Sequence, residues 1–155
     1  MVVNADAGWD LAVNNRNGQL TLVVEVKNKI GVSPEWAASL RRNLLAHGTL
    51  PTAPYLLIAF PDTFYLWTDH ETSLEVIAPD YIVDARSIMQ PYLERAGFAA
   101  DQISGQSLEL IVSAWLGELL YAETLPADGH NDHWLIDSGL LAAIAGGHFA
   151  QEVAA

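Results

Sequence analysis

Three residues stand out for the chemistry they can do together. Asp10, Glu25 and Lys27 bracket a segment built to turn back on itself. Trp9–Asn14 alternates apolar with small or polar residues, and Gln19–Lys27 is rich in valine and leucine. Between them lies Asn15-Arg16-Asn17-Gly18. Asn-Gly between two such runs is the strongest short-range hairpin signal, because both central residues of a type I′ turn take positive φ. With Asn17-Gly18 as a two-residue turn, Arg16 faces Gln19 and paired positions sum to 35. Leu11 then faces Val24 and Val13 faces Leu22 on one apolar side. On the other side Ala12 meets Val23, Asp10 lies opposite Glu25, and Lys27 follows two residues on. Opposed residues place their Cβ atoms about 4.5–5.5 Å apart, so two carboxylates there repel unless a cation or a proton comes between them. A bulge in either strand would turn one of them to the other face.

That arrangement suits Mg²⁺ or Mn²⁺, since Mg²⁺ takes carboxylate oxygens and retains waters. A neighbouring lysine can position or deprotonate an attacking water, or offset charge building on a phosphate. Glu25 supports a special role by its setting. Leu20–Val26 is otherwise so apolar that an acid within it needs a reason. The competing reading is an ordinary solvent-facing Glu–Lys pair.

The ordered set of Asp10, a hairpin, Glu25-Val26-Lys27 and a following helix resembles the core of the PD-(D/E)XK nuclease superfamily, over roughly residues 9–60. The resemblance implies a restriction-endonuclease-like α/β domain whose mixed central sheet is flanked by helices. It also implies Mg²⁺-dependent hydrolysis of DNA phosphodiester bonds. Asp10, Glu25 and the Val26 carbonyl would be metal ligands, and Lys27 the catalytic lysine. The next helix often faces the nucleic acid, which gives Lys29, Arg41 and Arg42 as phosphate contacts. Two departures accompany the likeness. Trp9 stands where the family has proline. Only nine residues precede Asp10, where the family usually has a helix and a strand, and that helix often carries another acid. Asp6 is a poor substitute for it. Either the start is missing, or a partner chain or second protomer completes that side, or the site is incomplete. The last case gives the alternative function, a catalytically inactive nuclease-fold module for protein–protein assembly.

Further elements must hold these residues in place. Ser33-Pro34-Glu35 opens a helix, with Ser33 as N-cap, Pro34 in the first position and Glu35 at the positive end of the dipole. Trp36, Ala37, Leu40 and Leu44 form its expected apolar stripe, and Gly48 its stop. Tyr55–Phe60 and Thr63–Trp67 read as strands around a Pro61-Asp62 turn. Helices are expected over Asp84–Ala96, which Pro91 must start, kink or split, and over Ser107–Tyr121. The latter is apolar nearly all round and therefore buried, in the core or in a subunit interface. The tail from Ser138 to Ala155 has no clear type. Of the histidines, His47 suits a helix C-terminus. Asp128-Gly129-His130-Asn131-Asp132-His133 lacks the spacing of zinc sites and reads as a solvated loop. His70 and His148 have no evident partners. Serine-hydrolase, P-loop and dinucleotide motifs are absent.

Composition bounds the rest. At 155 residues, 51% apolar and 17% charged, the chain reads as one globular domain, able to bury roughly 68–70% of its unfolded surface. It divides into the nuclease-like 9–60 and an acidic, helix-rich 61–155. Without cysteine there is no disulfide framework. The N-terminus has no signal-peptide pattern and no run is long enough for a membrane helix, so the expectation is a cytoplasmic protein with no membrane partner. The net charge of −12 argues against broad binding to nucleic acid. It is unevenly placed, however: residues 1–42 carry +1 and residues 43–155 carry −13. DNA binding, if it occurs, is weak and local to the first segment.

Overall fold

The computed structural model of the protein describes residues 10–48, 50–68, 75–99, 102–121 and 133–150. They form an α/β fold around a six-stranded mixed sheet. In chain order the elements are β1 (Leu11–Asn14), β2 (Leu20–Val26), α1 (Pro34–Ala46), β3 (Tyr55–Ala59), β4 (Thr63–Thr68), β5 (Tyr81–Asp84), α2 (Arg86–Ala96), α3 (Gly105–Tyr121), α4 (His133–Asp137), α5 (Leu140–Ile144) and β6 (His148–Phe149). The sheet order is β5-β4-β3-β2-β1-β6. Only β2 and β3 run parallel, and α1 is the crossover that parallel neighbours require. Trp9, Asp6, His70 and residues 128–132 lie outside the described residues.

The hairpin departs from the expected turn yet reaches the expected register. Gly18 has φ 79°, and the Asn15 amide donates to the Gln19 carbonyl at 2.8 Å. The loop therefore has three residues, Arg16-Asn17-Gly18, which shifts Asn14 opposite Leu20. A bulge then leaves Thr21 without a partner, so Val13 pairs with Leu22 and Leu11 with Val24. The two one-residue offsets cancel, and from Val13 to Leu11 the pairing is the expected one.

The sheet separates two cores. On one side Val13, Leu22, Val24, Leu57 and Phe64 pack with α2, α3, α4 and α5. On the other Val23, Leu56, Ile58, Tyr65 and Trp67 pack with Ala37 and Ala38 of α1. The expectations for α1 are met at its ends: Ser33 Oγ accepts the Trp36 amide at 3.1 Å, and Gly48 turns the chain at φ 66°. The expected stripe is not the buried face. Ala37, Ala38 and Arg41 are buried, whereas Trp36 is 41% exposed and Leu40 only half-buried. Two alanines let the helix lie close to the sheet, which rotates the larger side chains outward.

The Phe60–Thr63 turn closes as expected, with the Phe60 amide bonded to the Thr63 carbonyl at 2.9 Å. Pro91 sits at the sixth position of α2 and the helix runs through it, forgoing one N–H donor. Of the two settings foreseen for α3, the core accounts for Leu108, Ile111, Val112, Trp115, Leu116, Leu119 and Leu120, while Leu110 stays 66% exposed. The untyped tail supplies α5 and β6. Among the described residues no helix is long and apolar enough to cross a membrane.

Candidate metal centre

The β1–β2 ladder ends at the candidate site. The Asp10 amide donates to the Val24 carbonyl at 3.0 Å, and Asp10 Oδ2 accepts the Val26 amide at 2.6 Å. The carboxylate thus fastens the end of the hairpin that the backbone alone would leave to fray. Glu25 pairs with Ile58 of β3 in parallel register, so both point to the α1 side, and strand alternation sends Lys27 the same way. The paired register ends at Leu11 opposite Val24, and Asp10 is tied to this end of β2 by its carboxylate on the Val26 amide, next in chain to Glu25. The two carboxylates are near enough for the Asp10 charge to raise Glu25, which is the proximity a shared cation needs.

Glu25 is 5% exposed and Lys27 half-exposed. Lys27 Nζ lies 3.3 Å from Glu25 Oε1. The other oxygen, Oε2, is buried with no hydrogen-bond partner. A buried acceptor without a donor is costly, and more so when it is charged. Burial, reinforced by the Asp10 charge and opposed by Lys27, pushes the Glu25 carboxyl up to about 7. Burial also raises Asp10, against the Val26 amide and Lys27, which lower it. The pair is short of positive charge, and a divalent cation or a proton would supply it.

Glu109 was not foreseen. It lies early in α3, near enough to Asp10 for that charge to add to burial in raising its pKa, and it acts in turn on Glu25. Its helix is fixed to this end of β2 by Asn28, whose Nδ2 donates to the Ile103 carbonyl at 2.7 Å. Glu109 is distant in sequence from Asp10 and sits in a helix whose pattern announces only burial. Among the described residues, no group of three or more His, Cys, Asp and Glu side chains is arranged to hold a metal ion. The side-chain ligands that the hairpin could offer an ion are therefore Asp10 and Glu25, a small set that would leave most of the ion's waters in place.

The other expected site residues divide. Val26 ends β2, with its amide committed to Asp10. Lys29 and Arg42 are exposed. Arg41 requires correction: it is 1% exposed, with its guanidinium 5.9 Å from the Trp67 ring centre, and so cannot meet phosphate at the surface. It replaces an apolar residue in the layer between α1 and the sheet, a use that helical spacing alone does not reveal. His47 is structural as expected, its Nδ1 2.6 Å from the Asn43 carbonyl in the last turn of α1.

Comparison of the chain with protein-family models, with curated proteins and with solved structures finds no significant match.

Proposed function

We propose that the protein is a metal-dependent nuclease with a restriction-endonuclease-like core of the PD-(D/E)XK type, hydrolysing DNA phosphodiester bonds. The observation that carries this reading is the buried, partnerless Glu25 Oε2, beside Lys27 and next to the Val26 amide that Asp10 holds. Asp10 and Glu25 would hold Mg²⁺ or Mn²⁺, with the Val26 carbonyl as a further ligand. When bound, the ion supplies Lewis-acid activation of the phosphate and lowers the pKa of water. Lys27 orients the attacking water and offsets charge on the phosphate oxygens. Lys29 and Arg42 approach the backbone phosphates. Water adds to phosphorus, the bond from phosphorus to the leaving sugar oxygen breaks, and the proton released by water ends on that oxygen.

The assay is cleavage of plasmid and of single-stranded DNA with Mg²⁺ or Mn²⁺, beside Lys27→Ala and an EDTA control. The expected result is metal-dependent cleavage that Lys27→Ala lowers by at least about a hundredfold, the scale of losing a positioned catalytic group. Cleavage indifferent to Lys27→Ala would sink the assignment. Absence of cleavage with either metal would favour the assembly module, a reading supported by Leu110, Tyr121 and Ile136, which are 66%, 87% and 56% exposed.

A further inference from the structure

We infer that Trp36 is a stacking platform for an unpaired base, which makes single-stranded rather than duplex nucleic acid the preferred substrate class. This rests on the nuclease reading above and adds a binding residue and a substrate preference to it.

Trp36 is the third residue of α1 and is 41% exposed, although helical spacing assigns it to the core. Its ring is braced from below. It meets Phe60 edge-on, with centroids 6.1 Å apart, and Phe60 meets Tyr65 edge-on at 5.8 Å. Tyr65 is fixed in turn by its hydroxyl, which donates to the Val32 carbonyl at 2.6 Å. An indole held this way loses little freedom on binding, which favours it as a recognition surface.

The platform lies at the same sheet end as the carboxylates. The Lys27 amide donates to the Ala59 carbonyl at 3.0 Å, and Phe60 is the next residue after Ala59. A chain laid across this end can therefore meet Trp36 and Lys27 together. Lys29 Nζ stands 4.6 Å from the centre of the Trp36 ring. Its side chain is exposed, so an arriving base can take the ring face while the ammonium moves to the adjoining phosphate.

Charge selects between strands. A duplex grip relies on many phosphate contacts, and a molecule of net charge −12 has few cations to offer. Stacking on an aromatic face depends far less on net charge and is open only to a base that has left the helix.

The test uses the full chain with Ca²⁺ in place of Mg²⁺ to hold back cleavage. Fluorescence anisotropy is read for a labelled oligothymidylate, an abasic strand of equal length and a duplex. Wild type should bind the oligothymidylate at least about tenfold more tightly than the duplex. Trp36→Ala should lower that affinity by about tenfold, and Trp36→Phe by under about threefold. Binding of the abasic strand should be the same for wild type and Trp36→Ala. Metal binding, followed by Tb³⁺ luminescence, should be unchanged in both variants, which also reports that they fold. Equal or tighter binding of duplex, or an oligothymidylate affinity indifferent to Trp36→Ala, overturns the platform and leaves the metal centre standing. Binding of no nucleic acid at all overturns the platform and the nuclease reading together. A shared loss of Tb³⁺ and strand binding in Trp36→Ala but not in Trp36→Phe assigns the ring to support of the fold, and overturns the platform as well.

Discussion

Glu25 concentrates the tension of the site in one side chain. Its carboxyl is pushed up to about 7 in the folded protein, chiefly by burial, against an ordinary value of 4.5. Without metal, the folded state therefore holds a proton that the unfolded chain releases between these two values. Stability is highest below about pH 4.5 as far as this group is concerned, falls as pH rises, and levels off above about pH 7. The loss is on the order of 3 kcal/mol. Glu25→Gln removes the titration, so in EDTA it should gain stability over wild type at pH 8 but little at pH 5, as read by urea denaturation. A difference between the two proteins that does not change with pH would remove the buried charge as its cause. The acid itself was legible in the sequence, because a glutamate inside Leu20–Val26 has no ordinary reason to be there. Its partner Glu109 was not legible, since nothing in a single helix's pattern tells which distant strand end it will abut.

At the scale of elements, the hairpin shows why register could be foreseen although the turn could not. Asn-Gly fixed the place of reversal. Whether the loop closes after two residues or three is decided by a balance of local hydrogen bonds, here the Asn15 side chain accepting the Asn17 and Gln19 amides at 3.0 and 2.9 Å. Burial of Val13, Leu22 and Val24 then demands one pairing, and the Thr21 bulge absorbs the difference. Hydrophobic facing outweighs turn type because a one-residue slip would invert every side chain. β5 and β6 are not legible in the sequence for another reason. They have four and two residues, too few to show a period, and β6 is a strand only because the edge of β1 is there to pair with.

That dependence makes a test of how β1 is held. A Cβ on Gly147 would overlap the Asn14 carbonyl oxygen and stand 2.9 Å from that of Ile144. Both are backbone atoms: the first can yield only by parting the start of β6 from β1, the second only by shifting the end of α5. Gly147→Ala should cost about 3 kcal/mol in chemical denaturation, the upper end for forced overpacking. Gly146→Ala, strained by φ 74° but with only the Arg16 side chain nearby, should cost about 1 kcal/mol. Equal costs would mean that β6 is not held against β1 as described.

For the whole molecule, charge limits how a polyanion can be engaged. Arg41 is withdrawn into the core, and Arg86 is tied to Asp84 at 2.7 Å. Of the cations expected to meet phosphate, Lys27, Lys29 and Arg42 reach the surface, all in the first third of the chain and set against an acidic remainder. Three phosphate contacts on a single strand release few counterions. The affinity for oligothymidylate should therefore fall with salt at a log–log slope of about −2 between about 50 and 200 mM. Lys29→Ala should make that slope shallower by about 0.7, the share of one phosphate contact. Trp36→Ala should lower the affinity at every salt concentration and leave the slope alone, because stacking releases no counterion. A wild-type slope of about −5 or steeper would require a far wider basic surface than this chain has, and would mean that strands bind elsewhere or to an assembly of several copies. The measurement thus separates two contributions: a few cations that sense the phosphate backbone, Lys27 and Lys29 among them at the sheet end of Trp36, and one aromatic face that does not.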